Sequence, residues 1–246
     1  MVQKSEKKRI GIAGLGTIGK ALASALHKGI PGVRLAAVAT RSVDAARAWL
    51  AAADIEALVV PLAELTAHSD IVVECAPATL FADIATPVLT AGKELIGLSC
   101  GALLKHPQLI ELAKTHGGRI FVPTVALLGL DARSAVAEGS IHSGSRVTRK
   151  PVTGLLGAPY LVEKNIDLSN ITEPVQIFSG SARDAIAGFP ANVNVAVALS
   201  LAGLGPDRTT IQIWADPSVT RNTHTITVDS DSASLKMTIE NIPSEN

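Results

Sequence analysis

Through the first half of the chain, short apolar runs alternate with stretches in which apolar residues recur every three or four positions, the pattern of parallel βαβ units. Ile10-Gly11-Ile12-Ala13 and Arg34-Leu35-Ala36-Ala37-Val38-Ala39 read as the first two strands. Between them Ile18, Leu22 and Leu26 recur at intervals of four, with Ala21 and Ala25 alongside, which predicts an amphipathic helix. The alternation continues with a helix over 43–53, a short strand over 58–61, a short helix over 62–68 and a strand over 71–76. A helix over 80–90, a strand over 94–98, a helix over 108–115 closed by Gly117-Gly118, and a strand over 119–122 complete it. Ile71-Val72-Val73 is apolar throughout, as a central strand covered on both faces must be, and Pro77 cannot extend its ladder.

From about residue 124 the rhythm changes. Strand-like segments at 172–179, 210–215, 224–228 and 235–239 are interrupted by one strong helix near 190–202. This predicts two domains, 1–123 and 124–246, the second a smaller α/β (α+β) unit whose antiparallel sheet faces the first. Without Pro-rich linkers or repeats the two are expected to pack tightly. Ser145-Arg146-Val147-Thr148-Arg149-Lys150-Pro151 is a basic cluster that reads either as a carboxylate-binding segment or as a solvated loop, and Arg133 is a cation of the same standing.

The first strand runs directly into Gly14-Leu15-Gly16-Thr17-Ile18-Gly19, a G-x-G-x-x-G turn between strand and helix. The first glycine permits the sharp turn, the second lets a pyrophosphate approach bare backbone, and the third lets helix and strand pack closely. The helix then offers its free N–H groups and the positive end of its dipole to the phosphates. The first domain therefore reads as a Rossmann-type, doubly wound parallel sheet holding a dinucleotide. In such sheets ligands lie beyond the carboxyl ends of the strands. The candidate cofactor contacts are accordingly Gly14, Gly16, Thr17, Ile18 and Gly19, then Arg41, then Cys75, Ala76 and Pro77, with Ser99–Ala102 and Pro123–Ala126 at further strand ends. At the end of the second strand, where an Asp or Glu would select NAD, stands Thr40-Arg41-Ser42. A cation between two hydroxyls suits a 2′-phosphate, so NADP is expected to be accepted beside NAD; Arg41 otherwise reads as a solvated loop residue.

Composition narrows the partners. Formal net charge is zero, from 22 basic and 22 acidic residues without long runs of either sign, and aromatic residues are only 3%, so a nucleic-acid or membrane-surface partner is not expected. With 47% hydrophobic residues the chain is a well-buried globular protein, and its charge-poor surface suits a homodimer. Cys75 and Cys100 are too far apart for a C-x-x-C site and read as reduced thiols. No histidine pair has metal-ligand spacing, so no metal is predicted. The charged N-terminus leads straight into the first strand, and without a signal segment or a long apolar span a cytoplasmic location is expected.

Two segments of the second half carry candidate chemistry. In Gly188-Phe189-Pro190-Ala191-Asn192-Val193-Asn194, a first-turn asparagine can bond a carboxamide with donor and acceptor together, or simply cap the helix. In Trp214-Ala215-Asp216-Pro217-Ser218-Val219-Thr220-Arg221-Asn222-Thr223-His224, an Asp-Pro turn leads to a histidine at a strand start, placed to exchange protons near neutral pH.

Taken with E-C-A-P at Glu74–Pro77, S-C-G-A-L at Ser99–Leu103, G-L-D-A at Gly129–Ala132 and R-K-P at Arg149–Pro151, these segments resemble the L-aspartate dehydrogenase family. The most specific motifs are F-P-A-N-V-N-V-A at Phe189–Ala196, L-A-G-L-G-P-D-R-T at Leu201–Thr209 and A-D-P-x-V-x-R-N-x-H ending at His224. The resemblance implies oxidation of L-aspartate to iminoaspartate by hydride transfer to NAD or NADP, the imine feeding NAD biosynthesis. It implies His224 as the catalytic residue, and Ala126 and Asn192 as cofactor contacts near the nicotinamide. The substrate amine must lose its proton before the α-hydrogen leaves as hydride, a task suited to an imidazole. For the two carboxylates, groups near Thr124–Ala126 together with Lys150 or Arg149 are the candidates.

The chain departs from the family pattern at Val125 and Leu128, which stand where glycine is expected, and it stops at Asn246 where the family usually continues into another helix. A branched side chain at Val125 removes access to positive φ and fills space. The alternatives are therefore an oxidoreductase of another amino acid or imine, or a nucleotide-binding protein without catalysis.

Overall fold

The apolar runs of the first half align as a parallel sheet. The structure, a computed structural model, describes residues 7–123, 139–189, 200 and 204–241. The chain divides into two compact units of equal length, Met1–Pro123 and Thr124–Asn246.

The first unit runs β1 (Lys8–Ala13), α1 (Thr17–Gly29), β2 (Val33–Ala39), α2 (Val43–Ala52), β3 (Leu58–Val60) and α3 (Leu62–Leu65). It continues β4 (Ile71–Glu74), α4 (Phe81–Thr90), β5 (Glu94–Gly97), α5 (Cys100–Lys105), α6 (Gln108–His116) and β6 (Arg119–Phe121). The six strands lie in the order β3-β2-β1-β4-β5-β6, every pair parallel. The order reverses between β1 and β4, which opens a crevice at their carboxyl ends. Register sharpens this point. Ala39, Ala13, Glu74 and Gly97 are neighbours in one row across four strands, so the loops that follow them leave the sheet at one level.

Period-two alternation splits the strand side chains between two cores. Ile12, Val38 and Val73 pack with Ala23, Leu26 and Leu50 on one face, and Ala13, Val72 and Leu95 pack with Phe81, Ile84, Val88 and Leu109 on the other. Each such aliphatic side chain contributes about 1.5–3 kcal/mol on full burial. Phe81 is the one aromatic among the buried members of these clusters, with Trp49 packed against one of them from the side, so the fit depends on many small and branched residues. Pro87 lies inside α4, and burial of Phe81, Ile84, Ala85, Val88 and Leu89 holds that helix despite the lost N–H. Helix α6 ends where Gly117 turns left-handed (φ 72°) and the Gly118 N–H bonds the Ala113 carbonyl.

Three details differ from expectation. The buried face of α1 is Gly19, Ala23 and Leu26, whereas Ile18 is 60% exposed and Ala21 and Ala25 face outward. Spacings of four and three from Gly19 define the core stripe, and Ile18 lies a hundred degrees off it. Strand β4 ends at Glu74, two residues early, because that side chain turns inward to bond the next loop. The segment after β5, which the pattern left without an element, begins α5 at Cys100.

The second unit contains β7 (Ile141–Lys150), α7 (Pro159–Glu163), β8 (Val175–Ser181), α8 (Ala182–Gly188), β9 (Thr209–Ala215), β10 (Thr223–Ser230) and β11 (Ser234–Glu240). Its sheet has the order β11-β10-β7-β9-β8. It is mixed rather than antiparallel, because β7 and β9 run parallel; the intervening chain, which includes α7, β8 and α8 among its described residues, supplies the long crossover that parallel neighbours require. The basic segment 145–151 is thus no solvated loop: residues up to Lys150 form the middle strand of this sheet. β8 starts at Val175, three residues later than expected, beyond Pro174, which has no N–H to donate. A capping box between Ser181 and Asp184 starts α8, and Tyr160, Phe178 and Phe189 meet at centroid distances of 5.2–5.6 Å to anchor the helices to β8.

Candidate functional site

At the crevice of the first unit the turn after β1 is held by backbone alone. The Gly14 N–H bonds the Ala39 carbonyl and the Cys75 N–H bonds the Ala13 carbonyl, each at 2.8 Å, tying three loops together. Gly14 has φ 103°, and a Cβ there would stand 2.5 Å from the Cys75 carbonyl oxygen. A Cβ on Gly19 would collide with the carbonyl oxygen of Gly14, whereas one on Gly16 would meet nothing within 4 Å. The first and third glycines therefore serve the protein's own packing, and the second leaves room for a guest. Gly16 caps α1 with no side-chain bond to the first-turn N–H groups, which remain available to an anion.

These loops line a cavity of about 500 Å³, large enough for much of a dinucleotide. Gly14, Leu15 and Gly16 form its floor, Thr40, Arg41 and Ser42 one wall and Cys75, Ala76 and Pro77 another. Of the turn residues expected at the cofactor, Thr17 and Ile18 open α1 as exposed residues and Gly19 is buried, all three outside this lining. Lys20, which sequence reasoning passed over, joins the lining with its Nζ 5.5 Å from the Trp49 ring centroid. Its signal was helical spacing: one turn from Gly16, it returns to the same side. Two cations, Arg41 and Lys20, thus border the part of the crevice beside β2. Free backbone donors, an open glycine and flanking cations fit a dinucleotide.

Glu74 is fully buried at the carboxyl end of β4. Its carboxylate accepts the Ser99 N–H at 2.8 Å and the Ser99 hydroxyl at 3.1 Å, with the N–H groups of Ala76 and Leu98 also turned to it. Burial pushes its pKa up, and these four bonds hold it back. It clamps the loop carrying Cys75–Pro77 to the one after β5. Burial, with the Glu74 charge adding to it, raises both the Cys75 and Cys100 thiols to about 11, so neither is a nucleophile at neutral pH.

In the second unit the alternation of β7 sends Arg146, Thr148 and Lys150 to the buried face and Arg149 outward. Arg149 bonds Asp216 at 2.9 Å and lies over Trp214; Asp216 also accepts the Ser218 hydroxyl and N–H, which first of all holds its carboxyl low and fixes the Asp-Pro turn. Of the two cations offered for a substrate carboxylate, only Lys150 is therefore on the inner face.

His224, the second residue of β10, stands opposite Thr148. Its Nδ1 lies 3.0 Å from Arg146 Nη2 and 3.2 Å from Thr148 Oγ1, and its Nε2 3.2 Å from the Asn241 side-chain amide. Arg146 and Lys150 are each 3% exposed and His224 4%. A guanidinium has no acceptor, and Arg146 Nη2 is nearer Nδ1 than Nε2, which it approaches to 3.5 Å, so Nδ1 accepts from it and the ring proton sits on Nε2; the Asn241 amide, whose Nδ2 is the atom at 3.2 Å, must turn its oxygen to that proton. Burial first, then the charges of Arg146 and Lys150, lower the His224 pKa to about 3. Burial brings Lys150 to about 8, with Arg146 adding to it, and Arg146 itself to about 10. The free protein at neutral pH thus holds two buried cations against a neutral imidazole. The expected titration of this histidine near neutrality is absent here, because burial first, and then the cations beside it, penalise a third positive charge.

Arg146 and Thr148 were foreseen only as members of the basic segment 145–151, and Asn241 not at all. The Arg-x-Thr-x-Lys alternation could have revealed the first two, had the segment been read as a strand. Thr124, Ala126, Asn192 and the departures Val125 and Leu128 lie outside the described residues. Among those described, no helix is long and apolar enough to cross a membrane.

Residues 14–123 match the family model described as homoserine dehydrogenase, NAD binding domain, and residues 131–246 match that described as aspartate dehydrogenase, C-terminal. L-aspartate dehydrogenase 3 of Bordetella bronchiseptica is 56% identical over 98% of this chain and 89% of its own. L-aspartate dehydrogenase of Bradyrhizobium diazoefficiens is 52% identical over 98% and 86%. The crystal structure of aspartate dehydrogenase from Thermotoga maritima superposes with a TM-score of 0.73 at 23% identity, covering 96% of this chain and 90% of that one.

Proposed function

Because the chain belongs to the L-aspartate dehydrogenase family, we propose that it oxidises L-aspartate to iminoaspartate with NAD or NADP as acceptor. The observation that carries this reading is the buried cluster of His224 with Arg146 and Lys150, in a chain that also has a dinucleotide cradle. Two buried cations suit a dicarboxylate, and an imidazole beside them suits the proton that the substrate amine must lose. When bound, the nicotinamide accepts the α-hydrogen as hydride.

The chain's own tasks are then to bind, orient and deprotonate. His224 takes the ammonium proton at Nδ1, the ring nitrogen without one, while Asn241 keeps the ring oriented through Nε2. Lys150 and Thr124 hold substrate carboxylates. Ala126 and Asn192 contact the nicotinamide, Gly14, Gly16 and the first turn of α1 carry the pyrophosphate, and Cys75–Pro77 border it. Arg41 and Lys20 receive a 2′-phosphate, which supports acceptance of NADP. A cytoplasmic homodimer whose imine product feeds NAD biosynthesis fits the same reading.

The test is absorbance at the reduced-nicotinamide band, with L-aspartate and either cofactor, for the native chain and His224→Ala. The expected result is a rise that needs L-aspartate and falls by about 10²–10⁴-fold in the variant, the range for loss of a general base. No rise with either cofactor while nucleotide still binds would sink the aspartate reading.

A further inference from the structure

The bond from Arg146 to His224 points to a second task for this arginine. An arginine that only stabilised the fold would pair with a carboxylate or with carbonyl groups. Instead its Nη2 is directed at a neutral ring nitrogen, and its buried Nε has no hydrogen-bond partner among the described residues. The planar guanidinium fork can take two oxygens of one carboxylate, and here part of it is spent on a weak acceptor and part is unused. The lone pair that would take a substrate proton is the one this arginine occupies.

Resting on the reading of this site as a dicarboxylate dehydrogenase, we propose that Arg146 is a carboxylate-binding positioning residue that caps Nδ1 of His224 in the free protein and uncaps it when a substrate carboxylate arrives. The carboxylate is the better acceptor and draws the guanidinium into a paired bond. Its charge also offsets the two cations that disfavour imidazolium. The base thus becomes available only with substrate in place. Arg146 and Lys150 on β7 are the charged groups acting on His224 among the described residues. The other neighbours are neutral: Thr148 on β7, Ile239 opposite on β11, and Asn241 beyond it.

The experiment uses the full chain and succinate, a dicarboxylate with no amine to oxidise, following the imidazole of His224 by NMR over a pH series. Without succinate His224 should stay neutral to below pH 4. At saturation its midpoint should rise by about two units, the effect of an adjacent opposite charge, and binding should take up protons in calorimetry. Arg146→Gln should raise the midpoint without ligand, remove its response to succinate and weaken succinate binding by about a hundredfold, as loss of one partner of a buried charge pair does. Arg146→Lys, which keeps the charge, guards against misfolding: its midpoint should stay low while succinate still binds more weakly, for want of the fork. A midpoint unmoved by bound succinate, native-like succinate affinity in both variants, or no succinate binding at all would each overturn the proposal. A full succinate response in a chain that never oxidises aspartate would reject the dehydrogenase reading and keep the carboxylate receptor. Aspartate oxidation without that response would do the reverse.

Discussion

The two sites are built from opposite materials. The nucleotide crevice is made of backbone: two glycines that admit close approach, a third left open, and helix N–H groups without a side-chain cap. The cluster around His224 is made of long side chains from neighbouring strands, held off water and set against one another by charge. A site of the first kind is most sensitive at the residues whose lack of a side chain is the design. In a site of the second kind each member sets the protonation of the others, so a change at one is felt at all.

The contrast can be broken most forcefully with acid. His224 has a folded pKa of about 3 against an ordinary 6.5, so between those values the unfolded chain binds the extra proton. Its contribution to stability is complete above pH 6.5 and is lost as pH falls toward 3, a loss of a few kcal/mol. Urea unfolding of native chain and His224→Gln at pH 7 and pH 5 should show this slope in the first and its absence in the second. Equal slopes would mean that burial and the cations do not hold the ring neutral. Glu74, with its affinity for a proton raised, acts with the opposite sign, so the comparison with the variant is needed to isolate His224.

A backbone site should fail differently. Gly14→Ala places a Cβ against the Cys75 carbonyl at a left-handed φ, and should cost about 1–3 kcal/mol in the first unit and weaken NAD binding, with no effect on the pH response of His224. Fluorescence titration with reduced cofactor reads the binding. Glu74→Gln puts an amide N–H₂ where three N–H groups and a hydroxyl need acceptors, and should lower stability by about 1–3 kcal/mol in chemical denaturation. The smallest effect is at the rim. Arg41→Ala should raise the KM for NADP by about tenfold, the worth of one charge-assisted bond, and leave that for NAD unchanged. Equal loss for both cofactors would place Arg41 on the pyrophosphate instead.

Legibility in the sequence follows the same division. G-L-G-T-I-G behind an apolar strand announces its site, since its first and third glycines answer local steric demands and the second leaves space open. Alternating runs likewise announce the parallel sheet and the cap at Gly117, but not the end of β4, which comes at Glu74 rather than at Pro77. The misreadings arose where local pattern and tertiary demand diverge. Ile18 fits a four-residue repeat but lies off the stripe that packs on the sheet, and the segment 145–151 looks like a soluble basic loop because three cations crowd it.

By itself the sequence determined where strands and helices lie in the first half, that a dinucleotide cradle follows β1, and that a histidine closes the Asp-Pro motif; these depend on spacing along one stretch of chain. Only the tertiary structure decided that β7 is the middle strand of a mixed sheet, that Arg146 and Lys150 are its inner cations, and that His224 is neutral between them. Charge interaction acts through space and burial, and neither is encoded in a residue's immediate neighbours: Arg146 and His224 are 78 positions apart and 3.0 Å from contact to contact.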